Sequence, residues 1–321
     1  MNPNDKPPPR DYRAEVTADI IKMLEEGSAP WQRPWKSGEA GRMPWNPTTG
    51  KPYRGGNVLA LAIAGMRKGY DDSRWMTYRQ AAEKGWQVRK GEKATAIEFW
   101  EVGRGKDDDG ESDADKPRSR MIHRVYSVFN AQQIDGIPAM KVEPRKPFEV
   151  IEAGEKILAD SGAEIRHGGD RAFYTRSGDY IQLPNKEQFH DAPAYYATGC
   201  HELIHWTGSE KRLNRETLTK SRGISAADEH YSREELVAEI GSWLLALETG
   251  IPHDPSQHTA YIASWLEALK KDKNEIFRAA SAAAKATDYV LHRERETEVP
   301  ATIGPATERI SAEAQERRRY R

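Results

Sequence analysis

The stretch 201-HELIH-205 constrains this chain more than any other part of it. Residues four apart on an α-helix share a face, so His201 and His205 can turn two ring nitrogens toward one ion, about 2.0–2.1 Å from each. Glu202 then projects to one side, where it can take a proton from a water whose pKa the metal has lowered. The surroundings favour a helix. The acidic residue and proline of 191-DAP-193 open it, and Gly208 closes it. Tyr195, Tyr196, Leu203 and Ile204 require partial burial, and two buried imidazoles with nothing to bind would be destabilising. A metal site is therefore a better reading than a surface helix with two solvated histidines.

A third ligand is available in 234-EELVAEIG-241, a strongly helical stretch. Glu235 and Glu239 are four apart, which suits one carboxylate on the metal and one holding the other N–H of a ligand histidine. Glu235 is the preferred ligand, with Glu239 or Glu234 as alternatives. Two imidazoles and a carboxylate select Zn2+, although Mn2+ or another first-row divalent ion is also accepted by such a set. A nuclease site would call for more carboxylates and commonly two metals. Cys200, one residue off the ligand face, reads as a small core residue, and His230 and Tyr231 as loop residues.

Apolar periodicity and breakers divide the rest. Residues 1–10 are proline-rich and read as a disordered N-terminus. Helices are predicted at 12–27, 57–69 and 77–85, the last with Thr77 and Gln80 placed for a capping box. Strands follow at 94–102 and 120–130, separated by a mobile acidic loop, 103–119. A linker at 139–147 separates a first domain, 11–138, from a second, 148–292. The second opens with a helix at 148–162 and short strands at 163–167, 171–175 and 179–184. After the motif helix come helices at 232–250, with Ser232 as cap and Gly250 as stop, and at about 256–270 and 273–292. Residues 293–321 read as a charged tail. The fold class is α+β in two domains.

No window approaches the roughly 18 consecutive apolar residues of a membrane span. The first ten residues lack the apolar core of a secretory signal. The single cysteine excludes an internal disulfide and fits a reducing, cytoplasmic location.

The net charge of −1 conceals a local asymmetry. Residues 31–93 carry 13 Lys/Arg against 5 Asp/Glu, a net of +8, and six of the nine tryptophans fall between 31 and 100. Cations that follow phosphates and rings that stack on unpaired bases are what single-stranded nucleic acid requires. The candidate contacts are Trp31, Arg33, Trp35, Lys36, Lys51, Tyr53, Arg54, Asn57, Trp75, Tyr78, Arg79, Gln80, Arg89, Lys90 and Lys93. For any one tryptophan, a place in the core is the competing reading. No sequence-reading module is visible, so binding should be independent of sequence.

The chain resembles the plasmid antirestriction ArdC family. The resemblance rests on 31-WQRPW-35, 53-YRGGN-57, 75-WMTYRQA-81, 85-GWQVRKGEKAT-95 and 126-YSVFNAQQIDGIP-138 in the first domain. In the second it rests on 201-HELIHWTG-208, 212-RLNRE-216 and 234-EELVAEIG-241. The first domain also looks like that of TraC-type primases. The resemblance implies a small α+β single-stranded-DNA-binding domain joined to a zincin-like metallopeptidase domain of gluzincin or minigluzincin type. It implies His201, His205 and Glu235 as ligands, Glu202 as catalytic base, and protection of incoming plasmid DNA from host restriction during conjugation. The peptidase substrate would be a protein such as a host restriction component. The alternative is a DNA-coating module whose metal domain is structural or recognises a partner. Zincins bind extended peptide along a strand edge beside the metal, and 179-DYIQLP-184 is the candidate for that strand.

Overall fold

The computed structural model describes residues 11–29, 31, 43–104, 119–140, 146–223, 225, 227–251, 253 and 259–292, apart from the side chains of 101–104, 119–121 and 147. Outside these lie the expected disordered N-terminus, most of the acidic loop, much of the linker, the charged tail, and Arg33, Trp35 and Lys36.

Helix α1 spans Tyr12–Glu25, and the Asp11 carboxylate accepts from the Ala14 N–H to cap it. The short strands β1 (Trp45–Asn46) and β2 (Lys51–Pro52) form an antiparallel pair. Helix α2 (Gly56–Lys68) follows Gly55, whose φ of 54° lies in the left-handed region, and stops at Gly69. Strand β3 (Trp75–Met76) leads into α3 (Tyr78–Glu83), where Thr77 and Gln80 form the expected capping box. Strands β4 (Gln87–Val88), β5 (Thr95–Arg104), β6 (Ser119–Asn130) and β7 (Ile134–Asp135) complete this half. The sheet order is β3-β6-β5, with β4 paired to β7.

The second half opens with α4 (Pro147–Asp160), then β8 (Glu164–His167), β9 (Phe173–Thr175) and β10 (Tyr180–Leu183). Helices α5 (Ala192–Thr207), α6 (Glu216–Thr219), α7 (Glu229–Thr249), α8 (Ile262–Lys271) and α9 (Glu275–Val290) follow. Two expectations fail. Strand β10 is the centre of the sheet β8-β10-β9, parallel to one neighbour and antiparallel to the other, so the segment 179–184 offers no free edge. Helix α7 is capped by Asp228, which accepts from the Tyr231 N–H, and not by Ser232. The earlier cap adds a turn, so His230 and Tyr231 are helical rather than loop residues.

Among the described residues, 11–97 and 125–292 form one compact unit and 98–124 a second. In the larger unit α7 packs on α5 and α9, while α1 and α2 pack on α8 and α9. The sequence 53-YRGGN-57 makes one of these contacts. A Cβ on Gly56 would sit 2.4 Å from the Phe277 ring of α9, so only glycine permits the approach, and Arg54 pairs with Asp288 beside it. A smaller core gathers Met76, Ala81, Val88 and Ile134, with Trp86, Phe129 and Ile137 packed against it. In the 98–124 unit, His123 faces the Glu98 carboxylate at 3.0 Å and lies against the exposed Trp100 ring. Among the described residues no helix is long and apolar enough to cross a membrane.

Candidate metal centre

Two buried helices bring the centre together. In α5, Asp191 accepts from the Ala194 N–H, a proline sits in the first turn, and the Gly208 N–H reaches the His205 carbonyl at the other end. Helix α7 runs alongside at close range. A Cβ on Gly241 would lie 2.9 Å from the Ile204 side chain, so the glycine sets how near the two backbones come.

Three donor groups meet between these helices. His201 Nε2 and His205 Nε2 are 3.2 Å apart, and the two Glu235 oxygens each lie 3.5 Å from one of them. Among the described residues these three form a group able to hold a metal ion, and all are buried. A cation about 2.0–2.1 Å from each donor in tetrahedral geometry separates neighbouring donors by about 3.3–3.4 Å. The histidine nitrogens lie close to that spacing and each Glu235 oxygen lies close to it from one of them, so the donor set suits a divalent ion.

The other imidazole nitrogens are also directed. His205 Nδ1 faces Glu234 Oε1 at 3.2 Å, and His201 Nδ1 faces Glu239 Oε1 at 3.4 Å. A carboxylate can only accept, so each Nδ1 carries its ring proton, and each Nε2 is left facing the other histidine and Glu235. Burial would push the His205 pKa down, but Glu235, Glu234 and Glu202 raise it to about 10. A pocket that holds a proton this firmly favours positive charge, whether from a proton or a metal ion.

Glu234 is itself anchored. Arg215 reaches its two oxygens at 3.1 and 2.5 Å and Thr217 donates at 2.6 Å, while the same guanidinium binds Thr207 Oγ1 and the Ile204 carbonyl. Burial alone would raise the Glu234 pKa, yet Arg215 and His205 outweigh it and hold it at about 2. Glu202 is buried, and its charge is felt at His205, Tyr231 and Tyr261. The Tyr231 ring stacks over His205 with centroids 6.1 Å apart. Burial, with Glu235 nearby, drives its phenol pKa far above the ordinary value. Cys200 is buried and its thiol is pushed up to about 12, as a core residue.

Sequence reasoning placed Glu239 beside a ligand histidine but missed Arg215 and Tyr231. Arg215 lies in 212-RLNRE-216 without a helical register to the motif. Tyr231 could have been found from Asp228, a cap that places the tyrosine in the first turn of α7.

The candidate nucleic-acid contacts separate by burial. Trp31 and Trp75 are core residues, as is Tyr53, whose hydroxyl donates to the Trp75 carbonyl at 3.0 Å. Asn57 is buried, Arg54 pairs with Asp288, and the Gln80 side chain accepts from the Thr77 N–H and from Asn46. The exposed members are Lys51, Tyr78, Arg79, Arg89, Lys90 and Lys93. Tyr78 is 53% exposed.

Comparison with known proteins places these observations. Residues 10–129 match the family described as the N-terminal domain of anti-restriction factor ArdC, and residues 152–282 match that described as zincin-like metallopeptidase. Crystal structures of antirestriction protein ArdC from plasmid R388 superpose with TM-scores of 0.72 (metal-free) and 0.71 (Mn(II)-bound). The metal-free structure is 36% identical and the match covers 89% of this chain and all of that one; the Mn(II)-bound structure is 38% identical, with 88% and 98% covered. The chain is 46% identical over 297 residues to a DNA primase TraC of Escherichia coli, covering 88% of this chain but 27% of that protein. It thus spans about a quarter of that relative's length. An uncharacterized protein y4eC of Sinorhizobium fredii is 39% identical over 289 residues, with 88% and 92% covered.

Proposed function

The chain belongs to the ArdC family of antirestriction proteins, and from that premise we propose that it binds single-stranded DNA without sequence preference and hydrolyses a peptide bond at the α5–α7 site. In this reading it shields plasmid DNA arriving by conjugation from host restriction, in the cytoplasm, with a host restriction component as its protein substrate. Residues 11–138 carry the DNA and residues 148–292 the chemistry. The observation that carries the reading is the convergence of His201, His205 and Glu235 at ion-binding spacing, with a carboxylate behind each histidine.

His201, His205 and Glu235 would hold the ion, Zn2+ or Mn2+, which when bound supplies Lewis acidity that acidifies water and polarises a carbonyl. The chain's own residues do the rest. Glu234 and Glu239 keep both imidazoles in the tautomer that presents Nε2. Glu202 takes the proton of the attacking water and returns it to the leaving amine. The Tyr231 phenol stays protonated and able to donate, because burial beside Glu235 opposes its ionisation.

The test is Glu202→Gln, which keeps the ligands and removes the base. The expected outcome is retained metal with loss of hydrolysis and of plasmid protection. Full protection by this variant would favour the second reading, a DNA-coating protein whose metal domain is structural. The exposure of Tyr78, Arg79, Arg89, Lys90 and Lys93 supports that reading without requiring chemistry.

A further inference from the structure

His253 follows the Gly250 stop of α7 and is buried, yet no step above uses it. Its Nε2 lies 2.6 Å from the main-chain carbonyl of Trp31. A carbonyl can only accept, so Nε2 carries a proton and donates it there. The same nitrogen lies 3.4 Å from Glu239 Oε2, and the other Glu239 oxygen faces His201 Nδ1 at 3.4 Å. Nδ1 of His253 meets the Ser242 hydroxyl at 3.3 Å, which fixes the ring on α7. A continuous buried path thus runs from the Trp31 backbone through His253 and Glu239 to a metal-binding histidine. Trp31 is 0% exposed, His253 4% and Glu239 1%.

We infer that His253 is a positioning residue that ties the metal centre to the Trp31 segment, so that ion binding and the local order of that segment are coupled. The inference rests on the reading of His201 as a metal ligand. Its physical basis is that Glu239 is a buried carboxylate whose orientation depends on the donors around it. The Nε2–H edge of His253 is one of the groups that face it, 3.4 Å from Oε2, while its proton is directed at the Trp31 carbonyl in a distant part of the chain. An ion held by His201 Nε2 would make its Nδ1–H a stronger donor to Glu239, and Glu239, 3.4 Å from His253 Nε2, would pass that restraint to the ring that holds the Trp31 carbonyl. By linkage, loosening the Trp31 end must weaken the ion by the same factor. Trp31 is therefore part of the metal site's framework.

The experiment uses the full-length chain with Mn(II) as the probe. Wild type, His253→Phe and His253→Gln are titrated, and hydrogen exchange is followed in the peptide carrying Trp31 with and without the ion. Phenylalanine keeps the ring and removes both nitrogens; glutamine restores an N–H donor. The expected result is a Mn(II) dissociation constant about 10-fold weaker in His253→Phe and recovered to within about three-fold in His253→Gln. Mn(II) should slow exchange at the Trp31 peptide in wild type and His253→Gln only. Wild-type affinity in His253→Phe, equal losses in both variants, or Trp31 exchange indifferent to Mn(II) in wild type would each overturn the inference while leaving the metal site intact. Should His253→Phe fail to fold, the wild-type exchange and the glutamine variant still decide. A wild type that binds no Mn(II) would overturn the metal site and the inference together.

Discussion

The metal centre and the basic segment of residues 31–93 contain the same kinds of side chain, charged and aromatic, in opposite circumstances. In the centre, the ligands and the groups behind them face partners of stated chemistry: histidine to carboxylate, carboxylate to arginine, and three donors to one another. In the segment, the aromatics divide. Trp31, Trp75 and Tyr53 fill the interior, whereas Tyr78 stays at the surface, as do Arg79, Arg89 and Lys90. The difference teaches that a charge buried among partners reports a built site. An aromatic in a basic stretch reports nothing until its burial is known.

The largest effect that could break this contrast is loss of the ion. Changing the groups behind metal ligands typically weakens binding about 10–100-fold, so replacing a ligand should weaken it more than about 100-fold. His205→Ala and Glu235→Ala are expected to lose the metal that mass spectrometry finds in wild type, whereas Lys90→Ala should keep it. Retention by Glu235→Ala would move the third ligand elsewhere.

Next in size is the buried pair of Glu234 and Arg215. Removing one member of such a pair is destabilising by about 3–5 kcal/mol, because the other charge stays buried. The Glu234 pKa is about 2 in the folded chain against an ordinary 4.5. Its contribution is therefore fully present above pH 4.5 and is lost as pH falls toward 2. In chelator-treated protein, denaturant unfolding should show wild type more stable than Glu234→Gln at neutral pH, with the gap closing through that window. A gap independent of pH would mean that the carboxylate is not ionised in the fold.

The third pair of variants sharpens the division within the basic segment. Trp75→Ala should destabilise the fold by about 3–5 kcal/mol, as removal of a core aromatic does. Tyr78→Ala should leave the melting temperature unchanged and weaken single-stranded DNA binding by about 1–3 kcal/mol, the worth of one stacked base. A Tyr78 variant that binds oligonucleotide normally would remove this ring from the binding surface.

What could be read before any coordinates follows the same divide. Helical spacing is a rule of a few residues, so 201-HELIH-205 and the pair Glu235 and Glu239 fix their own geometry once the helices form. Caps and breakers likewise locate α3 at Thr77 and the end of α7 at Gly250. Position in a sheet is not local. The segment 179–184 has the pattern of a strand, but nothing within it states that β8 and β9 will take both its edges. Arg215 and His253 were illegible for the same reason, since each acts on a helix to which no sequence period connects it. The tryptophans were ambiguous because burial is decided by the assembled fold and not by the stretch that holds them, as the contact between the Trp31 carbonyl and His253 shows.

Gly241 carries no chemistry, yet the contact between its bare Cα and Ile204 decides how close Glu235 comes to the histidines. The motif that identifies a competent site is thus longer than its reactive groups: His-Glu-x-x-His, then a glutamate with glycine six residues on. In relatives, a branched residue at this position would hold the helices apart and open the donor triangle beyond the reach of one ion. Such chains are expected to be degenerate copies that keep every ligand and bind no metal, and a census of the family by its histidines alone would count them as intact.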